Sequence, residues 1–270
     1  MIDETRRVSF NSAASIYEEV RPSYPDKLID DVIELSGIND DYRILEIGAG
    51  TGKATAMFVS RGQSVLAVEP GEEMAAIAQN KFQSNPKVQI ERSKFEDWDD
   101  RGERFGVVAA AQSFHWIDPA IKYHKSAAVL KPGGYIALFW NTAYGLDREI
   151  WKRLNAIYRD FFQGDQAFFL SEQAEPLKPN EGIEASIAMK NKELNDSAKF
   201  RKSNTLTYDW THEYSRPDFL KLLNTFSDHR VLDAGIRDRL FIKVGAYIDS
   251  LGGKIVYPYK TVLHLAEVDG

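Results

Sequence analysis

The sequence predicts an α/β fold: a doubly wound, mostly parallel sheet covered by helices. Through the first half of the chain, short apolar runs rich in β-branched residues alternate with amphipathic segments. One of those runs, ILEIGAGTG from Ile44 to Gly52, passes from a buried strand through an acidic residue into a turn of alternating glycines. Turn and cap chemistry also punctuates the pattern where strands and helices should meet.

Strands are expected at Arg43–Ile47, Ser64–Glu69, Val88–Glu91, Gly106–Ala111 and Gly134–Trp140, and helices near Pro25–Ser36, Gly52–Ser60, Glu72–Ser84 and Pro119–Leu130. Asp118 before Pro119 supplies an N-cap and a first-turn proline, and Lys131-Pro132-Gly133-Gly134 stops the helix and turns into the next strand. After Asn141 the pattern changes. Leu146–Phe162 reads as a helix, and a polar Glu/Lys/Asn-rich stretch from Gly164 to about Lys202 reads as an insertion. Phe161, Phe162, Phe168 and Phe169 make it either a cap over a site or extra core. A β-like SNTLTYDW, a helix begun by Ser215 and Pro217, a helix near Ile236–Leu251 and the run Val256–Val268 follow, the last two strands closing the sheet. The whole is expected to be one domain: an opening segment over 1–25, a sheet core over 25–145, a helical cap insertion over about 146–202, and a sheet-completing part over 203–270.

Composition narrows the function classes. The 270 residues are 43% hydrophobic and 27% charged, enough for a sizeable core. With 34 basic and 40 acidic residues the net charge is −6, so no global positive field recruits nucleic acid or anionic lipid. The absence of cysteine removes disulfides, thiolate metal sites and a cysteine nucleophile. The histidines are scattered, so no metal is expected. The polar N-terminus lacks an apolar signal core, and no run approaches the roughly 18 apolar residues of a membrane span. The expectation is a cytoplasmic protein with a small-molecule partner, no nucleic acid and no membrane; the oligomeric state is not legible.

In an open parallel sheet, ligands gather outside the carboxyl ends of the strands. Gly48, Gly50 and Gly52 let the backbone adopt unusual dihedrals and approach a ligand closely, with Ala49 and Thr51 between them. A dinucleotide fingerprint would place its third glycine at position 53, where Lys53 stands. Behind the turn, Gly52 opens a helix whose free N–H groups favour negative charge. Glu69 ends the second strand before Pro70-Gly71, where its carboxylate can accept both hydroxyls of a ribose.

The pattern from Glu46 through Gly48, Gly50 and Gly52 resembles motif I of the class I S-adenosylmethionine-dependent methyltransferases. The resemblance implies a Rossmann-like, mostly parallel seven-stranded sheet with an antiparallel last strand, S-adenosyl-L-methionine as cofactor and S-adenosyl-L-homocysteine as product. It implies that Met74, in VEPGEEM, packs on adenine, although core filling explains it equally. SKFEDW resembles the segment at the adenine edge; Lys94 stands where an acid is common, so the Phe95 backbone and Glu96 are the better contacts and Trp98 packs. QSFHW, Gln112 to Trp116, resembles the signature of a small-molecule subgroup broadly similar to trans-aconitate-type enzymes. FNSAASIYEEVRPSYP resembles its N-terminal lid, with Tyr17, Arg21 and Tyr24. LKPGGYIALFWN and TFSDHRVL are further matches, and the resemblance covers nearly all the chain outside 164–202.

The expected cofactor set is therefore Tyr17, Arg21, Glu46, Gly48–Gly52, Glu69, Pro70, Met74, Phe95, Glu96, Gln112, Ser113 and Phe114. Tyr24, His115, Trp116 and Trp140 are expected at the substrate. His115 is a substrate contact or general base, or else a structural histidine; Trp116 and Trp140 wall the methyl path or fill core. Arg21 holds a methionine or substrate carboxylate, or forms a surface ion pair. The function expected is in-line methyl transfer to an O, N or C nucleophile of a small molecule, such as a carboxylate. Base methylation in nucleic acid fits less well, because Gln112-Ser113-Phe114-His115 differs from the Asn/Asp-Pro-Pro-aromatic pattern. A cofactor-binding module without turnover and an NAD-dependent oxidoreductase remain the alternatives.

Overall fold

The computed structural model describes residues 14–161 and 179–269. In chain order the elements are α1 (Ala14–Val20), α2 (Asp26–Ser36), β1 (Ile44–Ile47), α3 (Lys53–Ser60), β2 (Val65–Val68), α4 (Glu72–Phe82), β3 (Val88–Glu91) and β4 (Phe105–Ala111). A single 3-10 turn over Phe114–Trp116 leads to α5 (Lys122–Val129) and β5 (Leu130–Ala143). The chain continues through α6 (Arg148–Arg159), α7 (Pro179–Asp196), β6 (Phe200–Ser215), α8 (Arg216–Asn224), α9 (Ser227–Arg230), α10 (Ala234–Ser250) and β7 (Lys254–Val268).

The seven strands form one sheet in the order β3-β2-β1-β4-β5-β7-β6. The pairs β1–β2, β1–β4, β2–β3 and β4–β5 are parallel, whereas β7 runs antiparallel to both β5 and β6. This is the mostly parallel, doubly wound sheet that the alternating pattern predicts. Strand order reverses between β1 and β4, so their carboxyl ends open the crevice in which such sheets carry ligands.

Residues alternate across the sheet and build a core on each face. Ile44 and Val107 meet Leu28, Val32 and Phe58 of α2 and α3 on one side. Leu45, Val108 and Ile136 meet Tyr123 and Val129 of α5 and Leu194 of α7 on the other. The central strands β1, β2 and β4 are buried on both faces, which is why they read as continuous apolar runs. Among the boundaries that differ from the sequence expectation, two have a local cause. The helix expected from Pro119 begins at Lys122, because the Asp118 carbonyl first takes the N–H groups of Ile121 and Lys122, both at 2.9 Å, in a preceding turn. The strand expected from Gly134 begins at Leu130, which already pairs with Phe105 before a bulge.

A second core lies beyond the carboxyl ends of the parallel strands. Pairing of β5 with β7 ends at Ala143 and Tyr259, while β6 and β7 continue to Ser215 and Lys254. On this extension pack α6, α8 and α10, each buried along one stripe: Trp151, Leu154, Ile157 and Tyr158; Phe219, Leu222 and Leu223; Leu240, Val244 and Ile248. Their starts are capped, since Asp147 accepts the Glu149 and Ile150 amides at 2.9 and 3.1 Å, Ser215 the Asp218 amide at 3.3 Å, and Asp233 the Ile236 amide at 3.1 Å. Within the segment set apart as an insertion, α6 joins this second core and α7 packs on the main sheet. Of the four phenylalanines singled out there, Phe161 packs against the second core; Phe162, Phe168 and Phe169 lie outside the described residues.

Candidate functional site

The turn after β1 holds three glycines at positive φ, 66° at Gly48, 59° at Gly50 and 78° at Gly52, for different physical reasons. A Cβ on Gly48 would stand 2.5 Å from Ser113 Cβ, and one on Gly52 2.6 Å from the Phe82 ring. Gly50 meets nothing within 4 Å. Gly48 and Gly52 are thus required by the protein's own packing against the β4 loop and α4, and Gly50 alone leaves open space beside the backbone.

Glu69, at the tip of β2, spans the turn: one carboxylate oxygen accepts the Gly50 amide at 2.8 Å and the other the Gly71 amide at 2.7 Å. The carboxylate is 8% exposed. Glu46 is 1% exposed; Thr55 Oγ1 donates to one of its oxygens at 2.5 Å, and the other has no partner among the described residues. Burial pushes its pKa up to about 7, with the neighbouring Glu69 charge adding to the shift and the Thr55 bond opposing it.

Other expected residues make their contacts with the protein. Ser113 donates its hydroxyl to the Ile47 carbonyl, tying β4 to β1. The Thr51 hydroxyl reaches Glu18 of α1 at 2.5 Å. Phe95 is buried and stacked on Trp98 at 6.3 Å between centroids. Met74 is buried under the same end of the sheet, Pro70 is half-buried, and Glu96 accepts the Asp118 amide at 3.2 Å. Gln112 holds a left-handed backbone with φ 60°, its amide donated to the Asn141 carbonyl at 3.0 Å. Such dihedrals in a residue with a side chain persist only where neighbours enforce them.

The segment preceding the sheet covers this crevice. Besides Thr51, Glu18 of α1 takes Lys81 at 2.7 Å and Lys53 at 3.5 Å, while Glu19 pairs with Lys221 of α8. Arg21 donates from Nε to Thr225 Oγ1 at 2.8 Å, and its guanidinium lies 4.2 Å over the Phe226 ring and 5.4 Å over Tyr17. No carboxylate among the described residues pairs with it, so the expected alternative of a surface ion pair is not what the structure contains. Tyr24 stands edge-on to Phe139 at 4.8 Å, and burial holds its hydroxyl well above the usual phenol range. The sequence marked TFSDHRVL without a role for Thr225 or Phe226; their function as Arg21's partners needed the fold.

At the β4 loop, Phe114 is buried edge-on to Tyr123 at 5.1 Å. His115 has one edge open to solvent, accepts the Trp140 indole N–H on Nδ1 at 3.3 Å, and lies 4.8 Å from the Trp116 ring. Its packed side, together with Lys190 and Lys122, pushes its pKa below the ordinary imidazole value, so the ring is neutral at pH 7. Lys190, Asn191 and His264 beside Trp140 had no sequence motif to announce them. Among the described residues no cluster of three or more His, Asp or Glu is placed to hold a metal ion, and no helix is long and apolar enough to cross a membrane.

Residues 44–134 match a methyltransferase-domain family. An uncharacterised methyltransferase of Mycobacterium bovis is 38% identical over 135 residues, which are 50% of this chain and 53% of that protein. A Saccharomyces cerevisiae protein provisionally named an S-adenosylmethionine-dependent methyltransferase is 28% identical over 142 residues, 51% of this chain and 48% of its own. The chain spans about half the length of these curated relatives. A solved structure from Anaeromyxobacter dehalogenans, provisionally assigned as a type II methyltransferase, superposes with a TM-score of 0.63 at 18% identity, covering 92% of this chain and 97% of its own.

Proposed function

We propose, from the methyltransferase domain over residues 44–134 and the Rossmann-like methyltransferase fold around it, that this chain is an S-adenosylmethionine-dependent methyltransferase acting in line on an O, N or C nucleophile of a small molecule. The observation that carries the reading is the turn itself: Gly50 leaves open space where Glu69 clamps its amide at 2.8 Å, and Glu46 keeps a buried oxygen unpartnered nearby in sequence. An orphaned buried carboxylate oxygen is costly unless a ligand answers it. These groups fit a cofactor with ribose hydroxyls and a cationic amino-acid end.

When bound, the cofactor supplies a methyl group already activated on a cationic sulfur. The chain's residues then have binding and positioning roles. Glu69 accepts the ribose hydroxyls, the open side of Gly50 admits the ligand against the backbone, and the free oxygen of Glu46 takes the ammonium. Arg21 has donors to spare for a carboxylate. Met74, the Phe95 backbone, Glu96 and Phe114 sit at the adenine, and Tyr17, Pro70, Gln112 and Ser113 shape the walls. Tyr24, His115, Trp116 and Trp140 orient the acceptor. Neutral His115 can accept a proton from it, although alignment alone contributes about 7 to 11 kcal/mol in well-oriented reactions. The α1 lid excludes water.

Calorimetric titration with S-adenosylmethionine, S-adenosylhomocysteine and NAD tests the reading. Binding of the first two and not NAD is expected; binding of NAD alone would overturn it. Radiolabelled methyl transfer to carboxylic acids, phenols and amines then measures turnover, and its absence on every class would leave a binding module.

A further inference from the structure

His264, on β7, is 1% exposed, and its Nε2 is buried with no partner. Its Nδ1 lies 2.7 Å from Asn191 Oδ1 on α7. An amide oxygen only accepts, so Nδ1 carries the proton and Nε2 presents a bare lone pair. Thr205 Oγ1 donates to the same amide oxygen at 3.0 Å, which orients the amide and thereby the imidazole. Trp140 stands edge-on to His264 with 5.9 Å between ring centroids, and its indole N–H donates to His115 Nδ1. Lys190, one residue before Asn191, lies 4.8 Å from the centre of the Trp140 ring and donates to Ser186 Oγ at 2.7 Å. Among the described residues no carboxylate is within ion-pair distance of it.

We propose that His264, Asn191, Lys190 and Trp140 form a recognition niche for the methyl acceptor, and that the niche selects a hydroxylated organic anion. The hydroxyl donates to His264 Nε2, the anionic group faces the Lys190 ammonium, and the body of the ligand lies along Trp140. A lone-pair acceptor cannot satisfy another acceptor, and a cationic amine would meet the Lys190 charge, so the chemistry of the niche excludes both. Nε2 is sealed in this structure, so the hydroxyl reaches it through a rotation of the Trp140 side chain that opens the niche while Lys190 and Asn191 of α7 keep their places. The proposal rests on the methyltransferase reading for its role in catalysis, and adds α7 and β7 as the elements that choose the acceptor.

Imidazole nitrogen NMR on the full chain labelled with 15N-histidine tests it, with the His264 signals assigned by His264→Phe. The probes are 4-hydroxybenzoate and mandelate, with benzylamine as the cationic control. The His264 Nε2 resonance should move on adding a hydroxy acid and stay put with benzylamine, and Lys190→Met, whose half-buried side chain leaves the fold intact, should weaken the hydroxy-acid Kd about tenfold, the effect of losing one charge-assisted contact. An Nε2 resonance unmoved by either hydroxy acid, or moved equally by benzylamine, overturns the niche and leaves Nε2 answered by a buried water only. Calorimetry with S-adenosylmethionine on the same sample separates the two ideas: cofactor binding without an Nε2 shift rejects the niche alone, and an Nε2 shift without cofactor binding rejects the methyltransferase reading alone.

Discussion

The Glu69 carboxylate receives the Gly50 amide at 2.8 Å, so the acid at the tip of β2 and the glycine turn after β1 are one unit. Replacing Glu69 with Ala removes the turn's brace and the proposed ribose contact together. Hydrogen bonds to a charged group are worth about 1.5–3 kcal/mol, so affinity for S-adenosylmethionine should fall roughly ten- to a hundredfold by calorimetry. An unchanged Kd would place the ribose elsewhere.

Gly48→Ala and Gly50→Ala should separate folding from binding. Both impose left-handed strain of about 1–2 kcal/mol, but only the Gly48 methyl collides with the backbone-anchored Ser113, at 2.5 Å. Gly48→Ala should therefore lower the thermal midpoint by at least about 4 °C, taking roughly 2–4 °C per kcal/mol. Gly50→Ala should cost less stability and lose cofactor affinity, a contrast that paired melting and titration curves will check.

Glu46 makes stability depend on pH with a sign opposite to that of a salt-bridged acid. Its folded pKa of about 7 exceeds the ordinary glutamate value of 4.5. Between those values the folded state holds a proton that the unfolded state has released, so the contribution is complete below about pH 4.5 and is lost as pH rises through 7. The span corresponds to on the order of 3 kcal/mol. Glu46→Gln should flatten this part of the denaturation profile between pH 5 and 8. In the wild type, binding of a cationic cofactor should tighten over the same range, and a pH-independent Kd would contradict the proposed ammonium contact.

The α1 lid is tied by Glu18 to Thr51, Lys53 and Lys81, and by Glu19 to Lys221. Partly exposed ion pairs contribute about 1 kcal/mol or less. Glu18→Ala should thus leave global stability nearly unchanged while speeding amide exchange in Ala14–Val20, and exchange at the wild-type rate would show that other contacts hold the lid.

β1, β2 and β4 are legible because each is buried on both faces and bounded by turn residues, and the partly exposed Val88–Glu91 still has the boundaries read from the sequence. The glycine turn and Glu69 are legible because strand tips and glycine spacing are local properties. The second core is much less so: Tyr214, Phe219, Leu240 and Tyr257 are ordinary apolar residues until the long β6–β7 pair carries them past the end of β5. His264 reads as one polar residue in the apolar run VLHLA, and its partner Asn191 is 73 residues away. Arg21 was singled out by its motif, yet its anchor Thr225 is 204 residues distant.

Periodicity, turn chemistry and residue type are written along the chain, and by themselves they determined the parallel sheet and the crevice at the tips of β1 and β4. Which of three identical glycines opens to a ligand, which oxygen of Glu46 is left without a partner, and what surrounds Arg21 and His264 were decided only by tertiary structure. The reason is physical: these properties belong to the space between elements, set by what β4, α4, α7 and the second core bring within a few ångströms.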